Sequence, residues 1–101
     1  MIVQKEVSRD EVILAVNGSL SGEATNEFHF RLEQLASGQY LTVSLDLSQT
    51  PSINSSALGK ILLFRKKLAD GGRTLQIVAC SDALFKTFQM IQFDKLVTIK
   101  K

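Results

Sequence analysis

Staples, metals and kinks have little to work with in this chain of 101 residues, which holds one cysteine, one proline, one histidine and no tryptophan. A lone Cys80 cannot form an internal disulfide, which fits a reducing compartment. His29 has no cysteine or carboxylate cluster around it, so no metal site is expected, and no cofactor either. A serine–histidine pair, a Gly-x-x-x-x-Gly-Lys-Ser/Thr loop and an acidic cluster are all missing, which argues against hydrolytic and nucleotide-handling chemistry. The chain reads as a protein that is not an enzyme. No apolar run approaches the roughly 18 residues of a membrane-spanning helix, and the first residues lack a basic-then-apolar leader pattern. No direct membrane insertion is expected, and the cytoplasm is the expected location. The net charge of +2 is too small to suggest nucleic acid. Basic residues scatter, apart from Arg65-Lys66-Lys67 and Lys100-Lys101, which read as solvated faces or ends.

What remains is an ordinary globular composition, 45% apolar and 22% charged, in a length that suits one domain over residues 1–101 with one core. Ile2 to Val7 reads as a strand, Ser8-Arg9-Asp10 as a turn, and alternating Val12, Leu14 and Val16 as a second strand closed by Asn17-Gly18. Ser21 is the expected cap of a helix with Glu23 in its first turn. Ala24, Phe28, Leu32 and Leu35 share one face of that helix, and Gly38 stops it. Leu41, Val43, Leu45 and Leu47 alternate with polar residues in a third strand. A helix over Ser55–Ala69 ends at Asp70-Gly71-Gly72. A strand through Leu75, Ile77 and Ala79 follows, then a helix capped by Ser81 with Leu84, Phe88 and Ile91 on one side, and a short strand at Val97 and Ile99. The order β-β-α-β-α-β-α-β predicts an α/β fold: a mostly parallel mixed sheet of four to five strands opened by an antiparallel hairpin, with helices mainly on one face.

The most informative stretch is 45–59, Leu-Asp-Leu-Ser-Gln-Thr-Pro-Ser-Ile-Asn-Ser-Ser-Ala-Leu-Gly, where a strand runs through a turn straight into a helix. A helix N-terminus carries about half a positive charge and several unpaired N–H groups, so a serine there holds a phosphate at low cost. Asn54, Ser55 and Ser56 fit that description and fit a plain helix cap equally well. Along the helix, Leu58, Ile61, Leu62, Leu68 and Ala69 are expected to form the core stripe, with Arg65 snorkelling from its edge. Lys60, Leu63 and Lys67 point the other way with Ser56, as either a solvated face or a patch for a partner, and Phe30 lies similarly off the core face of the first helix.

Residues 45–59 also carry a family signature. Asp46-Leu47-Ser48 followed by Ile53-Asn54-Ser55-Ser56-Ala57-Leu58-Gly59 resembles that of STAS domains of the anti-sigma factor antagonist type, and Gly18, Gly71-Gly72 and Phe93-Asp94-Lys95-Leu96 extend the likeness over nearly the whole chain. The resemblance implies a STAS-like fold and a partner-switching cycle without catalysis by this chain. In it, Ser55 (Ser56 as the lesser choice) is phosphorylated by an anti-sigma factor that is a serine kinase. The unphosphorylated domain sequesters that kinase, and a serine phosphatase resets the phosphorylated one. It implies a partner surface at Asn54, Ser55, Ser56, Ala57, Lys60, Leu63 and Lys67, with Asp46 and Ser48 supporting the phosphosite. It is also compatible with an accessory subunit of an ABC-type membrane transport complex, regulated by protein binding without phosphorylation. Asn54 replaces the family's usual aspartate and Ala57 its usual glycine, so a charge beside the acceptor is missing while helix initiation is kept. A monomer or weak homodimer is expected, the latter through the open edge of the first strand.

Overall fold

The computed structural model describes residues 1–100, in the order β1 (Ile2–Glu6), β2 (Glu11–Asn17), α1 (Glu23–Ala36), β3 (Thr42–Gln49), α2 (Ser55–Asp70), β4 (Thr74–Cys80), α3 (Asp82–Met90), a short 3₁₀ turn (Phe93–Lys95) and β5 (Thr98–Ile99). The strands form one sheet in the order β1-β2-β3-β4-β5, with β1 antiparallel to β2 and every other neighbouring pair parallel. This is the expected α/β architecture, a mostly parallel mixed sheet with its opening antiparallel hairpin. Parallel crossovers take one hand almost without exception, so a sheet order that advances in one direction carries all three helices to one face. One continuous core results, in which Val12, Leu14, Val16, Val43, Leu45, Leu47, Leu75 and Ile77 from the strands meet Phe28, Leu32, Ile61, Phe64, Leu84 and Phe88 from the helices. The opposite face of the sheet carries polar cross-strand links instead: Gln76 donates to the Ser44 hydroxyl at 2.9 Å, and Ser44 donates to Glu11 at 3.1 Å.

The helices rotate slightly from their expected faces. On α1 the buried residues are Thr25, Phe28, Leu32 and Leu35, with Ala24 only half-buried. Its cap is Gly22 at φ 56°, which makes no side-chain cap bond, and not Ser21, which is exposed. A positive φ is cheap only for glycine, and the Gly22 carbonyl accepts the Thr25 N–H at 3.1 Å, so the chain enters the helix one residue later. On α2 the stripe is Ala57, Ile61, Phe64 and Leu68; Leu58 is half-buried, while Leu62 and Ala69 are exposed. Phe64 supplies the reason, because burying that ring turns the helix about one position away from Leu62. Arg65 takes the flank, where its Nε donates to the Leu96 carbonyl at 2.7 Å. Ile91 is exposed rather than packed: α3 stops at Met90, and Gln92 at φ 60° turns the chain so that Phe93 stacks on Phe88 at 5.2 Å. Leu41 precedes β3 and is exposed.

Arg73 joins the end of α1 to the start of β4. Its guanidinium donates to the Leu35 carbonyl at 2.8 Å, the Ala36 carbonyl at 2.9 Å and the Tyr40 carbonyl. Nearby, the Tyr40 hydroxyl donates to Glu6 on β1, and this bond, together with partial burial and the carboxylate's charge, raises the phenol above its ordinary value. A raised folded value stabilises the protein below the unfolded phenol pKa, and that contribution disappears as pH climbs through the folded one. Tyr40 is the only tyrosine, so an ultraviolet absorbance titration reads it alone. The midpoint is expected above the ordinary phenol value of about 10, and Glu6→Gln is expected to lower it. An identical midpoint in both proteins would show that the bond is absent in solution.

Candidate functional site

The strands lose register at their C-terminal ends, which is where the site forms. Leu45 pairs with Ile77 but Asp46 with Ala79, leaving Val78 as an unpaired extra residue, and a second shift lies between Ala15 and Asn17. Such bulges bend strands apart next to functional sites. Two connections then run side by side, Gly18–Gly22 after β2 and Thr50–Asn54 after β3. Gly18 donates its N–H to the Gln49 carbonyl at 2.9 Å, and Leu20 donates to Ser52 at 3.0 Å. Asn54 returns the link, donating to the Leu20 carbonyl at 3.1 Å. Leu20 and Ile53 form a single parallel bridge, and the Ser52 hydroxyl donates to that of Ser19 at 3.0 Å. Below them Thr50 is buried and donates its hydroxyl to the Val16 carbonyl at 2.8 Å.

Onto this platform Asn54 places the mouth of α2. It has extended backbone, and its Oδ1 accepts the Ala57 N–H at 2.8 Å while its Nδ2 donates to Thr25 at 3.4 Å. The Asn54 carbonyl accepts the Leu58 N–H at 3.1 Å. Those bonds occupy the N–H groups of Ala57 and Leu58, and those of Ser55 and Ser56 have no partner among the described residues. Both serines are exposed, and neither hydroxyl makes a hydrogen bond among the described residues. The first turn of α2 contains no acidic residue. The mouth is therefore open, rigid and electropositive, and it can hold an oxyanion or lie against an acidic surface.

The remaining expected site residues divide. Asp46 and Ser48 engage each other at the end of β3: Asp46 Oδ1 accepts the Ser48 N–H at 3.0 Å and its hydroxyl at 2.7 Å, and neither bonds to Ser55 or Ser56. Ala57 is fully buried, so its methyl belongs to the core and is not a surface that a partner touches. Lys60 is half-buried, Leu63 is 50% exposed, and Lys67 donates to Glu33 of α1 at 2.7 Å. That bond, chiefly, holds the Glu33 carboxyl below its usual range, with the charges of Lys67, His29 and Lys60 adding to it. The pair is exposed and contributes little to stability, so these residues form a flank towards α1 on which Leu63 stands out. Leu20, Thr25 and Thr50 hold the mouth without being legible in the sequence. Leu20 sits between two serines, outside any apolar period, and only its complete burial exposes its role.

The STAS domain model matches residues 3–101, and the chain belongs to that family. Among solved structures it resembles protein TM1081 of Thermotoga maritima, with 25% identity over 99% of this chain and 86% of that one and a TM-score of 0.88. It also resembles the unphosphorylated anti-sigma factor antagonist SpoIIAA of Bacillus, with 17% identity over 100% of this chain and 89% of that one and a TM-score of 0.84. A third likeness is to the STAS domain of a SulP transporter from Vibrio cholerae, at 14% identity over 91% and 71% of the two chains and a TM-score of 0.70. No curated protein matches the chain.

Proposed function

We propose that this STAS domain is an anti-sigma factor antagonist, a binding switch and not an enzyme, whose partners are an anti-sigma serine kinase and a serine phosphatase. One observation carries the reading: Ser55 is the first residue of α2, exposed, with its hydroxyl and N–H both unengaged, on a mouth fixed by cross-links to the neighbouring connection. The hydroxyl is reachable by another protein's active site, and the product phosphate would meet free N–H groups and no nearby carboxylate in the first turn. The likeness to SpoIIAA, a protein solved in both phosphorylated and unphosphorylated forms, supports the same reading. Lys60, Leu63 and Lys67 extend the surface that the kinase would cover. Asn54 fits this cycle as a neutral cap, since it leaves the phosphate no adjacent like charge to repel it.

Incubation with a lysate of the source cells and ATP, followed by intact mass and fragment mapping, tests it. The expected result is one added phosphoryl group, on Ser55. An unchanged mass together with co-purifying transport subunits would overturn it and favour the accessory-subunit role that the SulP likeness suggests.

A further inference from the structure

β1 is an edge of the sheet, with β2 on one side and no strand on the other among the described residues. Met1 and Asn17 exchange both of their main-chain bonds at 2.8 Å, and Val7 donates to the Glu11 carbonyl at 2.9 Å. An antiparallel ladder alternates, so Met1, Val3, Lys5 and Val7 turn their main-chain groups towards β2. Ile2, Gln4 and Glu6 turn theirs outward, where the sheet offers no partner. The side chains alternate as well. Ile2 pairs with the core residue Val16 and lies on the helix face, so Met1, Val3, Lys5 and Val7 stand on the bare face, next to Ala15 and Ile13. Met1, Val3 and Val7 are all exposed. No proline and no register shift interrupts β1, so the edge is regular over its whole length.

We infer that β1 is the interface of a symmetric homodimer, pairing antiparallel with β1 of a second copy about a two-fold axis normal to the sheet. A register centred on Gln4 uses every outward group: Gln4 faces Gln4 of the second copy, and Ile2 faces its Glu6. On the bare face the same register sets Met1 against Val7 and Val3 against Lys5, in pairs without main-chain bonds, where side chains stand closest. Met1 and Val7 then cover each other, and the Lys5 stem lies along Val3 with its ammonium in water. Centring on Lys5 instead would oppose two ammonium groups and leave Met1 unmatched, and centring on Val3 would leave the outward groups of Glu6 unused. The side-chain match is therefore to this chain itself. The contact is isologous and closed, because the other edge of the sheet, β5, has only 2 residues with which to recruit a further strand. The two-fold axis reverses strand direction, so the two α2 mouths face opposite ends of the doubled sheet and both stay open.

Sedimentation velocity of the full chain from micromolar to millimolar concentration tests this, with intermolecular NOEs measured in a mixture of isotope-labelled and unlabelled copies. The expected result is a concentration-dependent shift from monomer to dimer, with contacts between copies from the Met1 methyl to those of Val7. Val3→Lys places like charges side by side twice per dimer and is expected to weaken association about 3- to 30-fold, whereas Val3→Glu is expected to tighten it by a similar factor. Adding Lys5→Glu to Val3→Lys is expected to restore association. Gln4→Pro removes an outward N–H that no bond within the sheet uses, so it is expected to abolish the dimer while the monomer keeps its melting temperature at micromolar concentration. Should Gln4→Pro melt early, the two Val3 variants carry the test alone. A monomer at every concentration, contacts between copies at another surface, or equal weakening by Val3→Lys and Val3→Glu would each overturn the assignment. None of these outcomes bears on phosphorylation of Ser55.

Discussion

Ser55→Asp is expected to weaken binding of the proposed anti-sigma kinase partner by roughly 100- to 1,000-fold, while Ser55→Ala binds as the unchanged protein does. The magnitude follows from desolvation. A partner that covers the α2 mouth must bury whatever stands at Ser55, and an uncompensated buried charge in an interface costs about 2–5 kcal/mol. Each 1.4 kcal/mol is about tenfold in affinity. The same aspartate is harmless to the fold, because a negative charge in the first helical turn is favourable by about 0.3–1 kcal/mol. Thermal unfolding of Ser55→Asp should therefore occur at or slightly above the temperature of the parent. Loss of binding without loss of stability is the signature of charge-based release, read by calorimetric titration beside a melting curve. Equal affinities for the Asp and Ala variants would refute it. Ser56→Asp distinguishes the neighbouring hydroxyl: a loss larger than that of Ser55→Asp would move the acceptor to Ser56.

In the proposed cycle, the platform under that serine is what would let a charge alone suffice for the switch. The mouth of α2 is tied to the preceding connection through Leu20, Ile53 and Asn54, and Thr50 anchors it from below. A phosphate that changed this geometry would have to break those backbone bonds, so the cheaper response would be the departure of the partner. The Asp46–Ser48 pair is part of the same rigidity, fixing the exit of β3 through its own turn.

The sheet was legible because period-2 alternation in β2, β3 and β4 coincides with the buried set: Val12, Leu14 and Val16, then Val43, Leu45 and Leu47, then Leu75 and Ile77. The caps at Asn54 and Ser81 were legible for the same local reason, each accepting an N–H three residues on. Rotation of the helices was not. Apolar residues surround α2 on several sides, and the sequence alone does not say whether Phe64 or Leu62 faces the sheet. The fold chooses the larger ring and leaves Leu62 and Leu63 outside. Gly22 defeated the expected Ser21 cap because backbone handedness outweighs a side-chain acceptor where the chain must turn sharply. The long-range supports, Leu20 beneath the mouth and Arg73 behind α1, have no sequence signature, since each bonds to residues at least 30 positions away.

Arg73→Met is the substitution expected to harm the fold most for a residue that is only half-buried. Methionine keeps the apolar stem and removes all three donors. The Ala36 and Tyr40 carbonyls have no other partner among the described residues, while Leu35 keeps the Gly38 N–H at 3.1 Å. Hydrogen bonds to a charged group contribute about 1.5–3 kcal/mol each when isolated, but these three share one side chain and water reaches part of it. The expected loss is therefore about 2–3 kcal/mol in total, or roughly 8–20 °C in melting temperature for a domain of this size. Arg73→Lys keeps the charge and offers one point donor in place of a fork, so it should recover less than half of that loss. Denaturant unfolding of the three proteins checks this, with an unchanged slope showing that stability and not compactness has changed. If Arg73→Lys matched the parent, charge alone would account for the residue. If Arg73→Met also matched it, the end of α1 would be held by Ser37 and Gly38 without help from β4.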